Sequence, residues 1–326
     1  MKSIIYHEYG TPDVLKLEQI EKPIPQDDEI LVKVYATTAN IGELVIIKGE
    51  PYIMRLMFGL RKPKSGSFGE DIAGTVEAVG ANVTQFQPGD GVFGWAKGSF
   101  SEYVCASEEN FLLKPTNLTF EQAGAVGVSA FTALQALRTQ GNIQSGQKVL
   151  INGASGGVGS FAVQIAKAYG AEVTGVCSTN NVDMVRALGA DHVVDYKQED
   201  FTQNGQQYDL ILDNVGNHSL SGFKRVLAPQ GKVLPNAGGH GKGRWFGDMG
   251  NIIKVAISSL FSRQQGQPFL ALPNKEDLAI LKELVESGDV TPFIEKTYPL
   301  RDSASAFKHV ETGRTRGKIV INVAQI

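Results

Sequence analysis

The sequence contains very little cysteine and histidine. Its 326 residues include two cysteines, Cys105 and Cys177, and five histidines. Two cysteines can form neither a disulfide framework nor a four-cysteine zinc cluster. The histidines show no spacing typical of a metal site or a proton relay. We therefore expect a protein without bound metal, located in the reducing cytoplasm.

Long apolar runs and a strong excess of one charge are also missing. The N-terminal stretch MKSIIYHEYG has polar residues where a signal peptide needs an apolar core. The most apolar later segment, NIIKVAISSLF, is far shorter than the roughly 20 residues that span a bilayer. The formal net charge is −3. This composition predicts no nucleic-acid or membrane partner and favours a small-molecule ligand.

The sequence pattern changes near residue 123. Before it, alternating segments such as EILVKVYATTA, separated by Pro and Gly, are typical of β-strands. After it, strands alternate with amphipathic helices, which indicates a parallel sheet covered on both faces. We predict an α/β protein with a mostly β domain over 1–122, completed by 273–326, and a doubly wound parallel-sheet domain over 123–272.

The predicted elements after residue 123 follow from this periodicity. Strands are predicted at 148–152, 172–177, 191–196, 208–213, 231–235 and 268–272. Helices are predicted near 158–169, 181–188, 219–227 and 275–287. A further helix is predicted near 303–310, before the C-terminal strand RGKIVINV.

One segment of the parallel-sheet domain predicts a specific kind of ligand. The stretch KVLINGASGGVGSFAVQIAKAYGAEVTGVCS reads as a strand, a glycine turn, a helix and a second strand. Gly156 would let the backbone approach a pyrophosphate, and Gly159 would let the helix pack against the strand. The motif predicts a Rossmann-type dinucleotide site, with Ser155, Gly156, Gly157 and Val158 in its phosphate loop.

The end of the second strand bears on which dinucleotide is bound. The residues there are Cys177, Ser178, Thr179, Asn180 and Asn181, without a carboxylate to bind a ribose 2′-hydroxyl. This favours NADPH, although no Lys or Arg lies in the turn, and NADH remains possible. The carboxyl ends of later strands add candidate cofactor contacts, which are Asn214, Val215, Gly216, Ala237 and Gly238.

The chain resembles a known family over almost its whole length. The strings that carry the likeness are YGTPDVLKLEQIEKPIP, GEDIAGTVEAVG, PGDGVFG, FSEYV, FTALQAL, NGASGGVGSFAVQIAKAYGAEV and GKIVINV. They resemble the medium-chain dehydrogenase/reductase superfamily, in its zinc-independent, quinone oxidoreductase-like branch related to zeta-crystallin. The resemblance implies that the first domain is a GroES-like catalytic domain and that the protein pairs as a homodimer.

The resemblance also predicts whether the protein binds zinc and what Glu70 and Asp71 do. Zinc-dependent members have Gly-His-Glu where this chain has Gly69, Glu70 and Asp71, and they carry a catalytic cysteine that ATTANIGE lacks. We therefore expect no zinc. We expect Glu70 and Asp71 to form a polar hinge that bonds backbone, Arg or Lys, rather than an acid/base pair.

The family chemistry implied is hydride transfer from NADPH to a quinone, or to the β-carbon of an enone or enal. Asn40 matches an asparagine near the nicotinamide and is the predicted donor to the substrate oxygen or ribose. The tyrosine often found shortly after it is Val45 here, and Tyr52 is the candidate replacement. Thr132, Ser178 and Tyr196 match cofactor-contacting positions. The apolar segment MRLMFGL at 54–60 either lines the substrate pocket or packs a helix.

Two other classes of nucleotide-binding protein differ from this one in their reaction or in having little activity. A short-chain dehydrogenase needs Tyr and Lys four positions apart, and no Tyr-x-x-x-Lys occurs in the chain. The second alternative is a catalytically weak NADPH-binding sensor or interaction protein, because NIGELVIIKG lacks the usual polar groups.

Overall fold

The computed structural model describes residues 1–236 and 270–324. The chain divides into two compact units. The first comprises Met1–Val128, Pro273–Glu286 and Pro292–Ile326, and the second comprises Ser129–Leu272 and Ser287–Thr291. The predicted boundary between residues 122 and 123 falls inside the helix Phe120–Ala125, whereas the first unit continues to Val128.

The first unit is built mainly from strands. They are β1 (Lys2–Ile5), β2 (Lys16–Gln19), β3 (Glu29–Ala39), β4 (Asp71–Val79), β5 (Gly91–Trp95), β6 (Tyr103–Ser107), β7 (Phe111–Leu113), β13 (Ile294–Pro299) and β14 (Lys318–Asn322). The main sheet has the order β13-β14-β3-β4-β5-β7, and β6 also pairs with β3. Of these pairings, β13 with β14 is parallel and the others are antiparallel. The C-terminal strand β14 thus lies directly beside β3.

Helices and aromatic side chains close the first unit. Its helices are α1 (Ile41–Lys48), α2 (Arg55–Phe58), α3 (Phe120–Ala125), α8 (Lys275–Glu286) and α9 (Ser303–Glu311). The alternation predicted from Ile30, Val32 and Val34 is present, but Leu31 is also only 4% exposed. The second face of β3 is therefore covered at Leu31, whereas Lys33 on the same face is exposed. Phe68 and Phe100 stack in the core with ring centroids 4.6 Å apart.

The second unit contains a parallel sheet. Its strands are β8 (Lys148–Asn152), β9 (Glu172–Cys177), β10 (His192–Asp195), β11 (Tyr208–Asp213) and β12 (Leu227–Pro235). They lie in the order β10-β9-β8-β11-β12, with every pairing parallel. Counted from β8, this is the order 3-2-1-4-5 of a doubly wound nucleotide-binding sheet, whose ligands bind at the carboxyl ends where the order reverses. The predicted α/β fold is confirmed.

The second unit's helices and one predicted strand need separate comment. The helices are α4 (Val128–Leu134, which begins at the last residue of the first unit), α5 (Gly157–Ala168), α6 (Val182–Ala187) and α7 (Leu220–Val226). The strand predicted at 268–272 is wrong for 270–272, which form no strand, and 268–269 lie outside the described residues. Both backbone groups of Leu272 bond the side chain of Gln135 instead, so they are not available for a strand ladder.

The helix α5 is more deeply buried than the amphipathic helix predicted near 158–169. Residues 159–166 are all buried, including the polar Gln164, whose amide bonds the backbone of Thr291 in both directions. Gly170 follows the helix with a φ of 77°, a conformation that favours glycine at a helix end. At the other end, a Cβ on Gly159 would lie 2.1 Å from the carbonyl oxygen of Gly153. Only glycine fits that contact.

We predict that Gly159→Ala lowers the free energy of unfolding by about 2 kcal/mol, because the new methyl group forces the helix off the turn. Gly42→Ala is the control. Nothing lies within 4 Å of a Cβ at Gly42, which is on the exposed face of α1, so this change should be neutral or stabilising. Urea denaturation of the cofactor-free protein measures both. Equal stability of the two variants would contradict the packing role of Gly159.

Candidate functional site

The glycine turn after β8 leaves space at the start of a helix. Gly153 has a φ of 78°, and its N–H and that of Ala154 both donate to the carbonyl of Val176. Gly156 precedes the first residue of α5, and a Cβ placed on it would meet only the carbonyl oxygen of Gly153, at 3.5 Å. The protein's own packing therefore does not require glycine at 156. The first N–H groups of a helix lack intrahelical partners and attract anions, so the open space suits a phosphate group.

Polar side chains meet at the carboxyl ends of β8 and β11. The buried amide of Asn152 donates to Asp213 Oδ1 at 2.8 Å. The same oxygen of Asp213 accepts from the backbone N–H groups of Val215 at 3.1 Å and Gly216 at 3.0 Å. Asn236, after β12, donates to Asn214 Oδ1 at 2.8 Å. These bonds fix the loops at the edge where such sheets bind nucleotides.

The turn after β9 lies beside the glycine turn. Asn181 Nδ2 donates to Ser155 Oγ at 3.0 Å and to Ser178 Oγ at 3.3 Å, so one amide joins both turns. Tyr196 follows β10 and is 56% exposed. Its ring therefore does not pack fully on its own sheet, and a broad face is available to a planar ligand.

A carboxylate lies next to this turn. Asp195, at the end of β10, accepts a hydrogen bond from Thr179 Oγ1 at 2.6 Å and one from Gln198 Nε2 at 2.8 Å. The hydrogen bond from Thr179 is the main cause that lowers the pKa of Asp195. The backbone N–H of Lys197 and the side-chain amide of Gln198 lower this pKa further. Asp195 is thus ionised at neutral pH, and its oxygens are engaged by neighbouring donors.

A second polar cluster is buried in the first unit around Asp71. The carboxylate of Asp71, 0% exposed, accepts from Thr38 Oγ1, from Asn40 Nδ2 at 3.2 Å and from the backbone N–H of Val128 at 2.8 Å. The Lys318 ammonium lies 3.5 Å from Asp71 Oδ2, and Lys318 is 2% exposed. This is a buried ion pair between β4 and β14. It fulfils the expectation that Asp71 bonds backbone and a lysine.

The same cluster bonds both the oxygen and the nitrogen of the Asn40 side-chain amide. Lys318 Nζ donates to Asn40 Oδ1. Asn40 Nδ2 faces three acceptors, namely Thr38 Oγ1 at 3.0 Å, Glu43 Oε1 at 3.2 Å and Asp71. An amide has two hydrogens to donate, so the side chain of Asn40 is oriented by the protein and its donors are engaged.

Glu43, in the first turn of α1, is a second buried carboxyl in this cluster. Its Oε2 accepts from the backbone N–H of Asn40 at 2.9 Å. Burial, reinforced by the nearby charge of Asp71, raises the pKa of Glu43 from 4.5 to about 7. Glu43 and Asp71 share the single ammonium of Lys318, so a proton on Glu43 makes the three groups neutral together.

Glu70 and Tyr52 lie outside these bonds. Glu70 is exposed, although partial desolvation of its carboxyl and the charge of Asp71 raise its pKa. Tyr52 begins a short turn, and the guanidinium of Arg55 lies 4.6 Å from the Tyr52 ring and 4.6 Å from the Tyr9 ring. Arg55 is held between two aromatic faces. In the described ranges, 1–236 and 270–324, no group of three or more His, Cys, Asp and Glu side chains is arranged to hold a metal ion.

Comparison with known proteins shows which family the chain is similar to. Residues 26–116 match the alcohol dehydrogenase GroES-like domain, and residues 188–321 match the zinc-binding dehydrogenase model. The chain is 33% identical to the mitochondrial NAD(P)H oxidoreductase RTN4IP1 of Bos taurus, over 99% of this chain and 89% of the relative. It is 32% identical to 2-methylene-furan-3-one reductase of Solanum lycopersicum, over 99% and 79%.

A solved structure has the same fold over nearly the full length of the chain. The quinone oxidoreductase from Coxiella burnetii is 30% identical, with a TM-score of 0.83 and 99% of each chain covered. The chain belongs to the medium-chain dehydrogenase/reductase family, in its quinone oxidoreductase-like branch. The GroES-like and Rossmann-type domains predicted from the resemblance are therefore confirmed.

Within this family fold, the predicted site residues lie in both units. Asn40 and Tyr52 belong to the first unit. Those of the second unit that the structure describes are Thr132 in α4, Ser155 and Gly156 in the glycine turn, Gly157 and Val158 in the first turn of α5, Ser178 after β9, Tyr196 after β10, and Asn214, Val215 and Gly216 after β11. Ala237 and Gly238 lie outside the described residues. Except for Thr132, the described residues of the second unit follow strand ends, where the family fold binds nucleotides.

Several polar residues of these clusters were not predicted from the sequence. They are Glu43, Asn152, Asn181, Asp195, Asp213 and Lys318. For Lys318 a signal existed, because a lysine followed by the apolar run IVI in GKIVINV is unusual for a buried strand. For Asn152 and Asp213 the signal was a polar residue that closes an apolar strand.

We predict that Glu43→Gln removes a pH dependence of stability. Between pH 4.5 and about 7, folded Glu43 keeps its proton whereas the unfolded chain releases it, so folding stability falls as pH rises through this window and the loss is complete above it. The wild type should lose up to about 3 kcal/mol relative to the variant between pH 5 and pH 8. Urea denaturation at both pH values measures this difference.

Glu8→Gln is the matched control, because Glu8 is exposed. Its stability should follow that of the wild type at both pH values. If the Glu43→Gln and wild-type profiles run parallel instead, Glu43 does not carry the proton assigned to it.

Proposed function

We propose that this protein is a zinc-independent, NADPH-dependent oxidoreductase that transfers hydride to a quinone or to the β-carbon of an α,β-unsaturated carbonyl. The observation that carries the proposal is the open Cβ position of Gly156 at the start of α5, beside the point where the order of the parallel sheet reverses. The NAD(P)H oxidoreductase, furanone reductase and quinone oxidoreductase named among the relatives support the same class of reaction.

The residues of the glycine turn would hold the cofactor's phosphates. Gly156 leaves room for the pyrophosphate, and the N–H groups at the start of α5 would donate to it. Ser155 and Ser178, joined by Asn181, would lie along the adenosine side. The exposed ring of Tyr196 would stack on the adenine. A bound nicotinamide nucleotide supplies the hydride, and the protein orients it and excludes water.

The preference for NADPH over NADH rests on the turn after β9. It presents hydroxyl and amide groups, which can donate hydrogen bonds to a 2′-phosphate, whereas a carboxylate in this turn would favour a 2′-hydroxyl. Asp195 is ionised nearby, but its oxygens are engaged by Thr179, Gln198 and the backbone of Lys197. A cation in this turn would offset the charge of Asp195 and strengthen the preference.

Independence from zinc is supported by the charge balance around Asp71. Glu70 and Asp71 stand where zinc-dependent members have histidine and glutamate. The Lys318 ammonium, 3.5 Å from Asp71, already supplies the positive charge of this cluster. A divalent cation placed there would be repelled by Lys318 and would have to displace the bonds from Thr38 and Asn40.

The substrate would be an electron-poor carbon compound, because hydride adds where negative charge can be delocalised. In an enone, the hydride joins the β-carbon, charge develops on the carbonyl oxygen, and a proton completes the reduction. Tyr52 is the proposed polar contact of the substrate or the nicotinamide ribose, and Asn40 is a second one if its Nδ2 group exchanges one of its three protein acceptors for the ligand. The homodimer and the cytoplasmic location stay predictions.

The engaged amide of Asn40 favours a second candidate, an NADPH-binding protein with little turnover. Its Nδ2 group already faces three acceptors of the protein, so it offers no spare donor in this arrangement. A panel of quinones, enals and enones, assayed with NADPH and with NADH, separates the two candidates. Turnover of any member supports the oxidoreductase. Cofactor binding by fluorescence quenching without turnover supports the sensor.

We predict that Gly156→Ala weakens NADPH binding by about tenfold or more, because the methyl group enters the space proposed for the pyrophosphate and breaks charge-assisted hydrogen bonds. Stability of the cofactor-free protein should change by less than about 1 kcal/mol, since the new Cβ meets only Gly153 O at 3.5 Å. Calorimetric titration and thermal melting measure these quantities. Unchanged NADPH affinity would rule out the proposed phosphate site.

We predict that Asn180→Arg strengthens NADPH binding by about tenfold and leaves NADH binding unchanged, because Asn180 is exposed in the turn after β9 and a guanidinium there can bond a 2′-phosphate. Asn180→Met, of similar length and uncharged, is the control and should produce no gain. Equal gains for NADPH and NADH would mean that this turn does not face the 2′ position.

A further inference from the structure

An exposed apolar and basic surface lies on the first unit, outside the clusters already described. Leu56, Met57 and Leu60 are 65%, 68% and 69% exposed. Arg61, Lys62 and Lys64 follow at once and are also exposed. We call these six residues the 56–64 surface. The three apolar side chains therefore do not pack against a helix, and the alternative that the segment 54–60 lines the substrate pocket stays a prediction.

The 56–64 surface is held in place by its own backbone and by neighbouring residues. The Lys64 N–H donates to the carbonyl of Phe58 at 2.7 Å, and Tyr9 Oη donates to the carbonyl of Gly59 at 2.7 Å. Arg55 Nε donates to Gly49 O at 2.9 Å, which fixes the start of the short helix. Since the conformation is set by these bonds, presenting the apolar side chains to a partner needs little further ordering.

The charge of this region is opposite to that of the chain. Residues 51–69 contain four Lys and Arg residues and no Asp or Glu, in a chain with 31 basic and 34 acidic residues. Apolar side chains beside clustered cations are typical of proteins that dock on an anionic bilayer, where the apolar groups enter the interface and the cations meet the headgroups. The expectation of no membrane partner rested on the net charge of the whole chain and on the lack of a long apolar run, and neither property describes a local cluster of exposed side chains.

Other occupants fit this surface less well. A second copy docked by the same face would bring the two sets of cations together, which is unfavourable. A nucleic acid would meet the cations, but Leu56, Met57 and Leu60 would gain nothing from phosphates. In the described parts of the chain, no helix is both long enough and apolar enough to cross a bilayer, so the contact would be peripheral.

We propose that the 56–64 surface is a peripheral docking site for an anionic phospholipid bilayer. Leu56, Met57 and Leu60 insert among the headgroups, and Arg61, Lys62 and Lys64 bind the lipid phosphates and carboxylates. This inference does not depend on the reaction proposed above.

The test is co-sedimentation of the full chain with vesicles. We expect binding to phosphatidylcholine vesicles that contain phosphatidylserine, weak binding to phosphatidylcholine alone, and loss of binding as salt rises. The double variant Lys62→Glu, Lys64→Glu should bind more than about tenfold more weakly. The triple variant Leu56→Ser, Met57→Ser, Leu60→Ser should also lose binding. Because all five side chains are exposed, thermal melting should show that both variants fold.

Ile24→Ser is the matched control. Ile24 is 87% exposed but lies in a segment with Glu21, Asp27 and Asp28, and its substitution should leave vesicle binding unchanged. The proposal is overturned if the wild type stays in the supernatant with anionic vesicles, or if the triple variant binds them as well as the wild type does. It is also overturned if the variants raise the KM for a reducible substrate while vesicle binding is unchanged, since the surface would then be a substrate contact.

Discussion

The buried pair of Asp71 and Lys318 is the constraint on which the first unit's polar interior depends. Both side chains are at most 2% exposed, so each needs the other's charge and a full set of hydrogen bonds. The bonds that meet this need join β3, β4, β14 and the backbone of Val128. Gly127 is part of the same constraint, because a Cβ there would lie 2.0 Å from Asp71 Oδ1. Asn40 is oriented by its bonds to both members of this pair, and Glu43 in turn accepts from Asn40.

The nucleotide-binding turn of the second unit depends on two glycines, Gly156 and Gly159. Gly159 has no Cβ because the helix touches the turn, whereas the space beside Gly156 is open. Two glycines three residues apart therefore differ: the packing requires Gly159, whereas we propose that Gly156 makes room for a ligand. The sheet order and the bonded loops at the ends of β8, β11 and β12 place polar groups around that open space. The site proposed for the cofactor is thus built largely from backbone.

The surface of the protein shows why mean properties are a poor guide to partners. The net charge of −3 argues against anionic partners, yet the acidic residues are absent from 51–69, where cations and exposed leucines occur together. Electrostatic attraction falls off within about 10 Å at ordinary ionic strength. A local patch therefore determines docking, and the average over the chain does not.

The sequence by itself determined the fold class, the strand and helix pattern of the nucleotide unit and the family, because hydrophobic periodicity and the glycine turn are local signals. It also indicated that Asp71 bonds backbone, an arginine or a lysine. It did not identify the partner as Lys318, which is 247 positions away in β14. Nor could it show that Asn40 is engaged on both sides of its amide, or that Leu272 bonds Gln135 instead of forming a strand. Only the tertiary structure decided these points, because burial and pairing depend on which distant segments meet.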